Sequence, residues 1–423
     1  MDRSELLDIL RKHRAFVERR AGEGKRANLA HASLTGLKLP DVMLESATLT
    51  GADFSHCILT AANLSQADLF CANLEFADLS RANLERANLR GARLQGAKLA
   101  NANLKHADLR PGVIRQAQKD RRTDLSKSSI DGANLEEAKL DGANMAAASA
   151  KGANFRKASL EACDLRGADL TGADLFGAQL KNANLAGANL ENAILVQASV
   201  QGANMRGTLM INVDLRSANL SDAIIMLGAN RLSVNLQRAL REHAVWIESN
   251  GTDGTRADLS GQDLSGRDLR GAFLSGASLA GCNLADTDLS DSLFEMSDLS
   301  GANLANANLR RAVMTGVNLR GANLRGAKLA AAKLGPIDLT DADGQKSGQV
   351  KAADLTNADL EGADLYRTDL TQALLEGAKV AGTTLDKASS APAKTATGAA
   401  PVAAEPLAPT ARTDAAAAGK KAG

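Results

Sequence analysis

Aromatic residues make up only 2% of this 423-residue chain: one Trp, one Tyr and eight Phe. Cores of ordinary globular domains rely on such rings, because each one buries a large apolar area. Hydrophobic residues still reach 44%, so the apolar content is almost all Leu and Ala and suits a narrow, uniform core. A charge of one sign is also lacking, since 50 Lys and Arg stand against 49 Asp and Glu, a net +1. That balance argues against non-specific binding of the whole chain to nucleic acid or anionic membrane, and against an all-over acidic surface. No apolar run approaches the roughly 18 residues of a membrane span. The N-terminal MDRSELLDILRKHR interleaves charges with Leu and Ile, where a secretory signal needs an unbroken apolar stretch. Four cysteines, Cys57, Cys71, Cys163 and Cys282, form no CxxC pair. A reduced, cytoplasmic protein is the expectation.

What the chain does have is a repeat. From Asn28 one large apolar residue returns every five positions, as in AANLS QADLF CANLE FADLS RANLE RANLR. Four runs, residues 29–109, 125–225, 259–339 and 355–385, hold 62 such central positions, fifty of them Leu and none polar. A period of five is neither helical nor that of a plain strand. The residue two before the central one is small, and in an extended segment residues two apart face the same side. Ala and Leu therefore point inward together, and the Asp or Asn between them points out. The two residues after Leu are commonly polar then Gly, as in Thr50-Gly51 and Thr171-Gly172. A Gly there suits the positive φ of a type II turn. Each pentapeptide is thus a short strand and a corner, and repeated corners wind the chain into stacked coils.

The pattern A(D/N)LXX resembles the pentapeptide-repeat family from Asn28 to Leu385. The resemblance implies an all-β fold: a right-handed quadrilateral parallel β-helix with four pentapeptides per coil. It also implies one functional possibility, because some members resemble duplex DNA in size and charge and protect a type II topoisomerase.

A second repetition lies above the first. Residues 10–29 align with residues 240–259 at an offset of 230, with Leu10/Leu240, His13/His243, Gly24/Gly254 and Ala27/Ala257 identical. The register slip from Leu109 to Leu125 recurs from Leu339 to Leu355 at the same offset. The reading is a tandem duplication with a shortened second copy. Residues 1–27 form an amphipathic capping helix, 28–227 the first β-helix, 228–256 a helical linker or cap, and 257–387 the second β-helix. Residues 4–19 and 232–248 are the helices; the second is expected to separate the two rods. The slips, with Pro111 and Pro336 beside them, are expected to be surface bulges or short loops that interrupt the ladders. Residues 388–423, rich in Ala and Pro, read as a disordered tail.

The search for chemistry finds little. His31, His56 and His106 all lie two places after a central residue, but they differ by 25, 50 and 75 rather than by multiples of 20. They do not stack into a metal site. His13 and His243 lie on helix stripes as packed residues. Cys71, at a corner, is the one candidate thiol, and no His is placed to activate it. The alternating Asp and Asn before the central Leu read as solvated repeat positions. The GANL and GADL strings are corners, without the Lys of a phosphate loop. No catalytic residue, cofactor or metal ligand is expected.

Binding features are more specific. Phe70, Phe176 and Tyr366 directly follow a central Leu and face outward, and Phe76 lies on a nearby corner. Rings outside the coil, Trp246 included, are where function is to be sought. Arg115, Lys119, Arg121 and Arg122 gather in the first slip and read as a solvated loop, with an acidic partner as the sharper alternative. The expectation is a non-enzymatic protein–protein interaction scaffold with nucleic acid as an unlikely partner. DNA mimicry is the alternative; its one partial acidic column, Asp258, Asp298 and Asp338, is interrupted by Ser278 and Asn318.

Overall fold

Each pentapeptide contributes one wall of a coil. The computed structural model describes residues 2–19, 24–114, 119–225, 232–340 and 346–384. Residues 20 apart pair in parallel, as in Asp53 with Asn73 and Asn283 with Asn303. Between coils, Leu69 N–H donates to Asn88 O at 2.8 Å and Asn88 N–H to Ala67 O at 3.0 Å. At each corner the chain closes a turn, for example Ala72 N–H to Leu69 O at 3.0 Å, with φ of +54° at Cys71. The corner residue is left-handed whether or not it is Gly. The result is a right-handed quadrilateral β-helix.

Inside, central residues such as Leu69, Leu74 and Leu79 and small ones such as Ala72 and Ala77 are fully buried. Burying one Leu contributes about 1.5–3 kcal/mol, so the stacked axis dominates stability. Phe54, Phe155 and Phe294 are the largest buried side chains. Where a small position is polar it bonds a backbone carbonyl: Thr287 Oγ1 donates to Leu264 O at 3.0 Å and Ser292 Oγ to Leu269 O at 2.9 Å, each in the neighbouring coil.

The chain divides into two compact units, Met1–Ile225 and Met226–Gly423. Each begins with a helix over its first coil: α1, Arg3–Val17, and α2, Val234–Glu248. Asp2 caps α1 by accepting from Glu5 N–H at 2.8 Å, and Ser233 caps α2 through Leu236 N–H. Leu6, Ile9 and Leu10 pack on the core of the first unit, and Leu232, Leu236 and Leu240 on that of the second. α2 makes a second contact as well. Its Ala244 and Ile247 cover an apolar column on the outside of the coil: Phe273, Leu293 and Val313. Spacing by 20 at the outward position was the signal. Trp246 lies over the corner at Gly276 and stacks on His243 at 5.6 Å. Its ring is part of the helix packing rather than a free surface anchor.

The slips are neither bulges nor plain loops, and they do not interrupt the ladder. In the first unit they form an antiparallel hairpin of β1, Gly112–Ile114, and β2, Lys119–Arg121. Wall pairing continues past it, with Arg93 bridging Asp124 and Asp108 bridging Lys139. In the second unit β3, Ile337–Thr340, pairs antiparallel with β4, Lys346–Lys351, and Asn318 bridges Asp354. Leu339 therefore lies in β3 and not in the coil; Leu334 is the last central residue before the hairpin, paired to Asp369. The two hairpins leave one pentapeptide apart in the duplicated register, contrary to a shared slip. Proline explains both exits. Pro111 follows Leu109 and Pro336 follows Leu334 by two, the corner position that needs a φ near +60°, whereas Pro is held near −65°.

Hairpin packing yields a test. Gly316 has φ of +64°, and an added Cβ would lie 2.6 Å from Ile337 Cγ2 and 3.1 Å from Met296 Sδ. Gly316→Ala is expected to cost about 1–3 kcal/mol in urea unfolding of the second unit. An unchanged midpoint would show that β3 does not press on that corner.

Candidate interaction surface

The base of the first hairpin brings two of the expected surface residues, Phe70 and Arg121, to one backbone segment at Gly112. Gly112 lets β1 pass close to the wall: an added Cβ would lie 3.0 Å from Arg90 O and 3.1 Å from Phe70 Cε2. Phe70 is thereby half-covered, with the Arg90 guanidinium 5.6 Å from its ring centre. Arg110 grips Asp108 with two bonds, Nε to Oδ1 at 2.9 Å and Nη2 to Oδ2 at 2.7 Å. Burial acts to raise the Asp108 pKa, but Arg110 more than offsets it, and the carboxyl stays below its ordinary range. Thr123 fastens the hairpin where the wall resumes. It is fully buried, accepts from Gly91 N–H at 2.8 Å and donates to Arg110 O at 2.9 Å. Beside it, Arg121 is half-buried and Arg122 exposed. Arg115 lies outside the described residues, and Lys119 is placed only as a backbone position in β2.

The other aromatic candidates are dispersed. Phe76 stands at the next corner of the coil that carries Phe70, 55% exposed, and stacks on His56 at 5.2 Å. Phe176 lies under Arg156, whose guanidinium is 4.4 Å from the ring and pairs with Asp174 at 2.9 Å. Tyr366 belongs to the second unit, with Arg367 5.2 Å from its ring. Each ring is thus matched with a cation or another ring of its own chain.

Reactive groups are held quiet. Burial pushes the Cys71 thiol up, against the pull of Arg121 and Arg90. Burial also raises the Cys57 and Cys163 thiols, and Cys282 to about 11. Among the described residues, no group of His, Cys, Asp and Glu could hold a metal ion, and no helix is long and apolar enough to cross a membrane.

The outward Asp and Asn are more than solvated repeat positions. Their Oδ1 accepts the N–H two residues on, from Ser55 to Asp53 at 2.9 Å and from Arg156 to Asn154 at 3.0 Å. Such side-chain turns fix the approach to each corner. They also bond between coils, from Asn103 to Asn83 at 3.1 Å and from Asn154 to Asn134 at 3.0 Å. The acidic column is corrected too. It runs through Asp258, Ser278, Asp298, Asn318 and Asp354, and Arg320 pairs with Asp354 at 3.1 Å. Asp338 sits instead on β3, paired with Lys346 at 2.6 Å.

These walls and corners define a parallel solenoid with a periodic polar exterior. A profile of the family described as pentapeptide repeats matches residues 25–60, 47–86, 77–110, 121–156, 138–175, 153–192, 173–210, 193–226, 257–295, 297–335 and 353–389. The chain belongs to the pentapeptide-repeat family. Among solved structures it is similar to trypsin-treated QnrB1, a plasmid-mediated fluoroquinolone resistance protein, at 18% identity and a TM-score of 0.35, covering 45% of this chain and 91% of that one. It is also similar to HetL, involved in heterocyst differentiation regulation in the cyanobacterium Nostoc sp., at 21% identity and a TM-score of 0.17, covering 93% and 98%. A third is Rfr23 from the cyanobacterium Cyanothece, at 25% identity and a TM-score of 0.12, covering 32% and 89%. A search of the curated proteins finds no match.

Proposed function

We propose that this protein is a non-enzymatic interaction scaffold whose first hairpin base docks an acidic protein partner. The observation that carries the reading is the meeting of Phe70 and Arg121, with the exposed Arg122 next in the chain, at a hairpin past which the wall pairing continues. A rigid solenoid holds such a surface at little entropic cost on binding. The walls themselves mix charges in ion pairs, such as Arg166 with Asp164 at 2.7 Å and Arg270 with Asp268 at 2.8 Å. That mixture speaks against a duplex-DNA mimic, which needs a continuous acidic face. Four free cysteines suit a reducing compartment, and the cytoplasm is part of the proposal.

The test is affinity capture from native cell extract, followed by titration of the recovered partner. Phe70→Ala and the double change Arg121→Glu, Arg122→Glu are each expected to weaken binding about tenfold or more, which is 1.4 kcal/mol. Circular dichroism should be unchanged in both. Binding unaffected by either variant would move the surface elsewhere, and substrate turnover by the purified protein would end the scaffold reading.

A further inference from the structure

We propose that both capping helices are acid-released latches, each closed by a buried neutral histidine that accepts a backbone N–H from the first coil. In the first unit His13 Nδ1 accepts from Ala27 N–H at 3.0 Å; in the second His243 Nδ1 accepts from Ala257 N–H at 3.1 Å. Both side chains are fully buried. Each ring also stacks on an aromatic neighbour of its own helix, Phe16 at 5.8 Å and Trp246 at 5.6 Å. A second strand of the latch runs beside it. Lys25 N–H donates to Lys12 O at 3.0 Å and Thr255 N–H to Glu242 O at 3.1 Å. Gly24 and Gly254 let the chain pass against the helix backbone, where a Cβ would collide with Phe16 or with Glu242 O. The same four contacts recur at an offset of 230.

The chemistry of imidazole makes this closure sensitive to acid. A ring that accepts through Nδ1 carries its one proton on Nε2. In both units Nε2 is buried without a well-formed hydrogen bond, facing the backbone of Glu45 or Ser275 on the opposing wall. A second proton must go to Nδ1, where it would point at the N–H of Ala27 or Ala257. The bond becomes a donor–donor clash, and an unpaired charge is buried. The imidazolium therefore has no place in the closed latch.

The charges around each ring set the balance. Burial, the largest effect, and Arg26 oppose protonation of His13, while the Glu45 backbone and then its carboxylate favour it. On α1, Asp8 is occupied by Arg11 and Lys12, and Glu18 by Arg14. Burial, with Arg256, holds His243 down to about 4 against the opposing pull of the Ser275 backbone; on α2 Arg241 pairs with Glu242. Both folded values thus lie below the unfolded 6.5. The unfolded ring binds more protons in that window, so closure is complete above about 6.5 and weakens as pH falls. Cap opening should rise about tenfold per pH unit below 6.5 until the folded value is reached. Release uncovers Leu29, Leu34 and Leu44 under α1, and Leu259, Leu264 and Leu269 under α2.

Trp246 is the sole tryptophan and reports on α2 directly. With the full chain, its emission should shift red reversibly between pH 6.5 and 4 while the circular dichroism of the walls stays constant. Hydrogen exchange, corrected for intrinsic rate, should show residues 3–17 and 234–248 losing protection in the same range. His243→Asn keeps an acceptor near the Nδ1 place without titrating, so its Trp246 emission should be flat. Should His243→Asn leave the cap unseated at neutral pH, the histidine C2–H resonances of the unaltered chain decide the matter. His243 titrating at an ordinary value with α2 still protected would overturn the latch. So would emission and protection that stay constant down to pH 4.5, or an identical shift in His243→Asn.

Discussion

Excising residues 336–351 should leave the second unit folded, with a urea midpoint within about 1 kcal/mol of the parent, since the shortened connection removes a loop-closure cost of that order. The cut joins Leu334-Gly335 to Ala352-Ala353-Asp354-Leu355 and restores a spacing of five. Excising residues 341–351 restores the same spacing by a different route, through Leu339-Thr340-Ala352-Ala353-Asp354-Leu355. On periodicity alone the two deletions are equivalent. They differ in the five residues 336–340, which the shorter cut keeps, forcing Leu339 into the wall and leaving Pro336 at a corner. Corners here hold φ between about +52° and +74°, which proline cannot reach. The shorter deletion should therefore cost about 3 kcal/mol or more, with the coils after Leu334 losing hydrogen-exchange protection. Adding Pro336→Gly to it should recover most of that loss. Equal stability of the two deletions would remove proline as the cause of the hairpin exits. The matching cut in the first unit, residues 111–121, joins Leu109-Arg110 to Arg122-Thr123-Asp124-Leu125 and keeps Thr123 in place.

Leu79→Asp is expected to unfold the coils around it, whereas Asp78→Ala, one residue away, should be mild. Leu79 is fully buried on the axis, between the central residues 20 positions to either side, Leu59 and Leu99. Truncation to Ala alone would cost about 2–5 kcal/mol for the lost contacts and the cavity. A carboxylate adds desolvation with no cation or donor along an axis lined by Leu and Ala, so the loss should exceed about 5 kcal/mol. Asp78 faces outward, and its Oδ1 accepts the Ser80 N–H at 3.0 Å. Its removal should cost about 1 kcal/mol. Urea unfolding of the first unit, followed by circular dichroism, would separate the two. A small effect of Leu79→Asp would mean that the axis admits water.

Much of this architecture was legible because its causes are local. The inward pair of a small residue and Leu, the outward Asp or Asn, and the left-handed corner all fall within one pentapeptide. His13 and His243 were readable as packed residues on helices expected over residues 4–19 and 232–248, the first as a cap and the second as a linker or cap. Their bond to Ala27 and Ala257 was not, because it joins residues 14 apart through a turn the repeat does not specify. The candidate surface was legible only in pieces. Phe70 and Arg121 were singled out, but their meeting depends on Gly112, and the hairpin's anchoring on Thr123, whose roles appear only when the hairpin folds back on the wall. Phe76, Phe176 and Tyr366 looked equivalent to Phe70 and prove to be dispersed.

The sequence by itself determined the solenoid, its axis and its duplication, since a five-residue period with an apolar centre has one way to bury that centre. Only the tertiary structure decided where the chain leaves the coil, that the departing segments pair as hairpins, and that α2 also covers Phe273 and Leu293 from outside. The physical reason is range. A pentapeptide carries its own turn and its own buried pair, whereas a hairpin exit or a docked helix depends on residues that become neighbours only after the coils have stacked.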